Sequence, residues 1–314
     1  MRIKLGFIII FIFTGTLFLN AQQLPSSNQY LVNRYLLSPA FAGHNGNSQV
    51  FIGYKQDWSG FEGSPKTSIL SGYIPITENA WLGSQIISDK ADLFNNIYAR
   101  FSYSYHLETG IDNKLLFSMW GSMFQNKISL SNAVIFDPND PLLKDKQELT
   151  GFSLNAGASI VYKWREGYIG LTVPYLFQNK DIYSLSGTKN IVELNQQLIG
   201  HASYNFRIDY NWNIEPVLVY KWTKDFDSQI DLATIIYYRD DYWFSFMYRD
   251  IGKVGISVGA NLADHFTLNY TYEFVTGQFV GNPSASHEFT LGFTIPQQEN
   301  RTNWKKGYRY NRNR

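Results

Sequence analysis

The sequence predicts an all-β protein, a transmembrane antiparallel up-and-down β-barrel of about 14 strands. Three observations carry that prediction. Long segments alternate apolar and polar residues, the period of a strand and not of a helix. Their apolar faces end in aromatic residues, as the girdles at a membrane interface do. Short connections alternate with longer ones, as they must when successive turns fall on opposite sides of a bilayer.

Composition sets the background. The chain has 314 residues, of which 17% are aromatic and 17% charged. A typical soluble domain carries about 25% charged residues. So many aromatic and β-branched residues rule out a disordered chain, and a coiled coil would need more Ala, Glu, Lys and Leu. There is no Cys, which excludes disulfides, thiolate zinc sites, a cysteine nucleophile and a lipid anchor on an N-terminal Cys. A formal net charge of +1 gives no electrostatic case for nucleic acid.

Residues 1–21 read as a secretory signal peptide. Arg2 and Lys4 form the basic start, Leu5 to Leu19 the apolar stretch, and Ala21 the cleavage position. The stretch is short for a bilayer-spanning helix, and no later one is long enough to be one. Residues 22–47 hold apolar and aromatic residues at no clean period, too apolar for a free linker. Two placements stay open for this segment: a partial plug under or inside the barrel, or a short periplasmic helix on its rim.

Strands are expected at 48–55, 66–74, 80–87, 96–107, 114–124, 151–163, 167–175, 196–207, 213–222, 229–238, 242–249, 254–261, 265–274 and 287–295. The fourth sets Ile97, Ala99, Phe101, Tyr103, Tyr105 and Leu107 against Tyr98, Arg100, Ser102, Ser104 and His106. The thirteenth sets Phe266, Leu268, Tyr270, Tyr272 and Phe274 against His265, Thr267, Asn269, Thr271 and Glu273. The connections at 75–79, 108–113, 164–166, 208–212, 239–241 and 262–264 are short. Those at 56–65, 88–95, 125–150, 176–195, 223–228, 250–253 and 275–286 are mostly longer. An even strand number brings both ends of the chain to the periplasm.

Pro296 ends the last strand. In the tail 296–314, Arg301, Lys305, Lys306, Arg309, Arg312 and Arg314 face one acid, Glu299. This basic periplasmic tail reads as solvated, as a dock for an acidic periplasmic partner, or as a membrane-surface contact.

Polar residues on the strand faces are candidates for a wet lumen: Arg100, His106, His201, Arg207, Glu215, Lys221, Glu273 and Glu288. They serve either as structural ion pairs or as a solute-selectivity lining. No catalytic, metal or cofactor site is expected. The five His are scattered, and neither a nucleophile elbow nor a phosphate loop is present. Asp137 to Pro141 lacks the frame of a calcium loop and reads as a turn. Asp240-Asp241 sits in a tight turn as a solvated pair.

Several blocks form an ordered pattern: Asn28-Gln29-Tyr30; Ser38-Pro39-Ala40-Phe41-Ala42-Gly43; Tyr54 through Trp58-Ser59-Gly60-Phe61-Glu62-Gly63-Ser64-Pro65-Lys66-Thr67; Gly83 and Asp89; and Ser286-His287-Glu288-Phe289. Across the whole mature chain this resembles the PorP/SprF family of Bacteroidota outer-membrane proteins. That family shows an N-P-A-[YF]-A-G start, an R-x-Q-W…G-x-P-x-T block and a closing S-H-E strand. The chain departs from it at Ser38, where the family has Asn, at Lys55, near its usual Arg, and at Asp57, which intervenes before Trp58.

The resemblance implies an outer-membrane location and a role in type IX secretion, linked to gliding and adhesin export. The implied partners are other secretion components and a large secreted or surface protein, through its C-terminal sorting domain. Trp58, Gly60, Phe61, Gly63, Pro65 and Thr67 become candidates for binding that partner, and Pro39, Phe41 and Gly43 mark the N-terminal motif. Trp58 fits equally a place in the upper aromatic girdle. A passive porin-like channel for small solutes is the alternative function.

Overall fold

The computed structural model describes residues 26–129, 148–177, 195–263, 265–276 and 285–296. The expected leader and the basic tail beyond 296 lie outside the described residues.

The strands are β1 (Ser48–Gln56), β2 (Lys66–Pro75), β3 (Ala80–Ala91), β4 (Phe94–Glu108) and β5 (Asn113–Ser129). Next come β6 (Glu148–Trp164), β7 (Gly167–Val173), β8 (Gln197–Tyr204), β9 (Phe206–Arg207) and β10 (Trp212–Thr223). The series ends with β11 (Gln229–Tyr238), β12 (Tyr242–Arg249), β13 (Lys253–Leu262), β14 (Phe266–Val275) and β15 (Ser286–Ile295). β8 and β9 are one strand interrupted at Asn205, since both pair with β10. The barrel therefore has fourteen antiparallel staves, as predicted. It closes through β1 and β15, in register from Ser48↔Ile295 to Gln56↔His287.

Alternation builds the wall. On β1, Val50, Ile52 and Tyr54 point outward while Phe51, Gly53 and Lys55 point in. Ile52 is 55% exposed and Lys55 only 1%. On β4, Phe101, Tyr103, Tyr105 and Leu107 are exposed and Tyr98, Arg100, Ser102, Ser104 and His106 are buried, the two faces read from the sequence. Exposed apolar side chains around a whole barrel are what a lipid-facing wall needs, because lipid cannot solvate polar groups. Paired aromatics mark both ends of the wall: Tyr162 with Trp164 and Trp212 with Tyr238 at one, Tyr272 with Phe274 at the other.

The two ends differ. At one end the connections are short, at 76–79, 109–112, 165–166, 208–211, 239–241 and 263–265. The other end carries the long connections, including 57–65 and 276–285. Two strands correct the expected loop at 88–95: β3 runs to Ala91 and β4 starts at Phe94, leaving a turn at Asp92-Leu93 with Asp92 at φ +49°. The extension escapes notice in the sequence because pairs such as Lys90↔Asn95 and Asn95↔Lys127 are polar on both faces. Strand that rises beyond the apolar band has water on both sides and loses its hydropathic alternation.

Candidate functional site

A segment of the chain itself occupies the lumen. Residues preceding β1 form three 3-10 turns, Gln29–Leu31, Arg34–Leu36 and Pro39–Phe41, and Asn28 to Gly43 are almost all buried. Short 3-10 pieces suit a segment that must meet a wall on every side, because no single helical face is repeated. The same property explains the missing period in the sequence.

At the long-loop end, ions hold the segment. Lys55, Lys221, Arg249 and Lys253 meet Asp57, Asp231 and Glu273, with Glu288 opposite Lys55 across the seam. Arg249 lies between Asp231 (2.9 Å) and Glu273 (3.4 Å). Lys55 and Lys253 reach Glu273 at 3.3 and 3.2 Å. Burying an ion costs several kcal/mol, so such a cluster persists only when pairing and hydrogen bonds are nearly complete. The segment supplies part of that completion. Lys55 Nζ donates to Ser26 O (2.8 Å), Asn28 Nδ2 to Glu273 (3.0 Å), Tyr30 OH to Asp231 (3.1 Å), and Arg249 to Asn28 Oδ1 (3.2 Å).

Glu288 is the most dependent member. It is 2% exposed, and the hydrogen bonds it accepts among the described residues come from the segment alone. Asn28 N donates at 2.8 Å, Gln29 N at 3.2 Å, and the Ser27 hydroxyl completes the set. The cluster joins three sequence blocks that lie far apart: 26–30, 54–57 and 286–288, the last also through Ser286 Oγ donating to Asp57 (2.8 Å).

Midway, Arg34 pairs with Glu215 and lies over the Tyr168 ring (4.9 Å), while Tyr237 OH donates to Glu215 (3.1 Å). Asn33 Nδ2 donates to Ser71 (2.9 Å), and Arg100 donates to Tyr35 O (2.8 Å) between the rings of Tyr35 and Trp120.

At the short-turn end, shape takes over. Phe41, fully buried, packs edge-on against Tyr168 (4.9 Å) within a cluster of Ala40, Leu116 and Val161. Ser104 Oγ donates to Pro39 O (2.8 Å), and His106 Nε2 donates to Ala40 O (3.2 Å). Gly43 has φ +70°, and a Cβ there would lie 2.0 Å from Trp81. A Cβ on Gly83 would lie 2.6 Å from the Tyr35 hydroxyl, so bare backbone makes room for that ring. His44 donates from Nδ1 to Phe41 O (2.8 Å). Burial first, then the cations Arg34 and Lys163, hold its imidazole down at about 3.

The expected lumen residues Arg100, His106, His201, Glu215, Glu273 and Glu288 are all buried inside the barrel, as is the N-terminal motif Pro39, Phe41 and Gly43. Arg207 is a correction. It has the inward parity of its partner Asn213, yet it sits exposed at the short-turn rim, because β9 is only the frayed end of its stave. Thr67 is another. It is 2% exposed with its hydroxyl donating to Asp89 (2.6 Å), so it faces the lumen and not an external partner. Trp58 and Phe61 stand exposed on the 57–65 connection, shaped by positive φ at Trp58, Gly60 and Gly63. Ser59 ties that loop to Ala285 through its N–H (2.8 Å) and its hydroxyl (3.0 Å).

The sequence reading missed Asn28, Tyr30, Lys55, Asp57, Asp231, Arg249 and Lys253 as site residues. The first four stood in or beside the quoted blocks, which was the available signal. Among the described residues no group of His, Asp and Glu could hold a metal ion.

The family described as "Type IX secretion system membrane protein PorP/SprF" matches residues 19–293. No curated protein matches the chain. Among solved structures, the CymD monoaromatic hydrocarbon channel aligns with TM-score 0.52 at 10% identity, over 86% of this chain and 93% of that one. The Ralstonia pickettii toluene transporter TbuX gives 0.52 at 7% identity, over 83% and 92%. The P. putida toluene transporter TodX gives 0.50 at 8%, over 81% and 91%. At such identities these likenesses speak for the barrel fold alone.

Proposed function

The chain belongs to the PorP/SprF family of type IX secretion system membrane proteins, and from that premise we propose that it serves secretion or surface attachment of a partner protein at the outer face of the outer membrane. Its family and fold are those of a membrane-barrel secretion component and not of an enzyme. Membership also implies contact with other secretion components.

One observation supports the finer reading most. The sequence blocks at 26–30, 54–57 and 286–288 converge on one cluster that packs the lumen beneath the exposed Trp58 and Phe61. A passive channel needs a continuous water path, and the buried ions here are packed against the chain's own segment. That favours the partner-binding reading over a porin for small solutes. Exposed aromatics on a loop with strained backbone at Trp58 are suited to anchor a protein partner, because aromatic anchors dominate interface energetics. The partner is a large secreted or surface protein engaged through its C-terminal sorting domain, with the basic tail available to a periplasmic partner.

Cross-linking and pull-down from intact cells tests this. Recovery of a secretion component or a surface adhesin is expected. The double variant Trp58→Ala with Phe61→Ala should lose the surface protein while the barrel still folds. Undiminished recovery by that variant would remove the loop from the reading.

A further inference from the structure

We propose that residues 26–44 are a plug that enters the lumen from the long-loop end of the barrel, latched there by the Lys55, Arg249, Glu273 and Glu288 cluster. The segment thus runs down the lumen against the direction of β1, and its latch lies on the outer side of the membrane.

Registers set the depth of each contact. Ser26 meets Lys55, one residue from the long-loop end of β1, and Glu288 pairs directly with Lys55 across the closing seam. Asn33 meets Ser71, whose partner is Phe51, further down. Tyr35 meets Ser102, which faces Gly83 and through it Tyr73 and Gln49, lower again. Pro39 and Ala40 meet Ser104 and His106, and Gly43 meets Trp81, beside the 76–79 turn. From Ser26 to Gly43 the contacts thus run from the long-loop end to the short-turn end.

Length agrees with this path. A 3-10 turn rises about 2 Å per residue, so a segment of this length is long enough to cross the roughly 25 Å height of an apolar barrel band. The segment then leaves at the short-turn end and turns back into Ser48 at the start of β1. Short turns face the periplasm and long loops face outward in barrels of this kind, which puts the latch outside. Glu288 makes the latch specific. Without Ser27, Asn28 and Gln29 it would be a buried carboxylate stripped of its hydrogen bonds.

The chain lacks cysteine, so single-cysteine variants of the full chain report position without background. Cells carrying Ser26→Cys, Phe61→Cys, Asn45→Cys or Ile111→Cys are treated with a membrane-impermeant maleimide. In intact cells Ser26→Cys and Phe61→Cys should label, and Asn45→Cys and Ile111→Cys should label only after the outer membrane is permeabilised. No labelling of Ser26→Cys while Phe61→Cys labels would overturn entry from outside, as would labelling of Asn45→Cys in intact cells. For the latch, planar-bilayer conductance of Glu288→Ala should rise severalfold over the parent barrel. Parental conductance, in a variant that keeps the heat-modifiable mobility of a folded barrel, would overturn it. Neither readout depends on a secreted partner, so both stand apart from the pull-down.

Discussion

The two ends of the lumenal segment are held by different physics. At the long-loop end, Ser26 to Tyr30 are fixed by hydrogen bonds to buried ions, with Arg249 and Glu273 at the centre. At the short-turn end, Phe41 and Gly43 are fixed by close packing against Tyr168 and Trp81. Water can substitute for a hydrogen bond to an ion, but it does not substitute for a ring in a fitted apolar cavity. The contrast sets an expectation about which end lets go first: the ionic latch before the packed seat.

The largest effect is expected from Arg249→Ala. It removes the cation that Asp231 and Glu273 share, leaving Asp231 to Lys221 and Glu273 to Lys55 and Lys253, and breaking a buried ion pair costs about 3–5 kcal/mol. Urea unfolding of the barrel in detergent should show that loss, together with freer access of label to Ser26→Cys. A loss confined to the seat would collapse the comparison. Next is Phe41→Ala, which opens a cavity at the seat worth about 3 kcal/mol. Its loss should be nearly independent of salt, whereas the latch variant should respond to salt. Equal responses would mean that the two ends are not distinct.

Tyr30→Phe removes one hydroxyl donor to Asp231, worth about 1.5–3 kcal/mol for a bond to a charged group. It should raise the conductance slightly without moving the melting temperature of the wall. The last effect is set by pH and is absent at neutrality. His44 holds its proton only below about 3 in the seated segment, while the free imidazole takes one near 6.5. As pH falls from about 6.5 towards 3 the released form gains protons that the seated form does not, so seating weakens with acid. His44→Gln should flatten that dependence; an unchanged acid profile would assign it to other groups.

Much of the wall was legible because lipid imposes a period on it. Residues such as Phe101 and Tyr103 must face outward, and their neighbours Arg100 and Ser102 must not. Legibility ended where that constraint ended. The extensions through Lys90, Asn95 and Lys127 rise beyond the apolar band, so β3, β4 and β5 are longer than their alternation. The lumen was half legible. Glu273 and Glu288 were readable as inward-facing, but their partners Asn28 and Gln29 lie hundreds of positions away and carry no periodic mark. Arg207 had the right parity and the wrong height, and Thr67 belonged to a motif whose loop and strand residues face different surroundings.

The seam between β1 and β15 has a kinetic consequence. The segment leads straight into β1, and β1 is the strand that zips against the last one. Enclosing a segment in an unfinished wall takes a single closing step, while feeding it through a finished ring means drawing its upstream chain past a crowded interior. Assembly therefore reaches a fork. Chains whose Asn28 finds Glu288 while the seam is open close around their own segment, and chains that zip first are left with it outside. The contact between Glu288 and the residues ahead of β1 thus bears on which of the two outcomes a chain reaches.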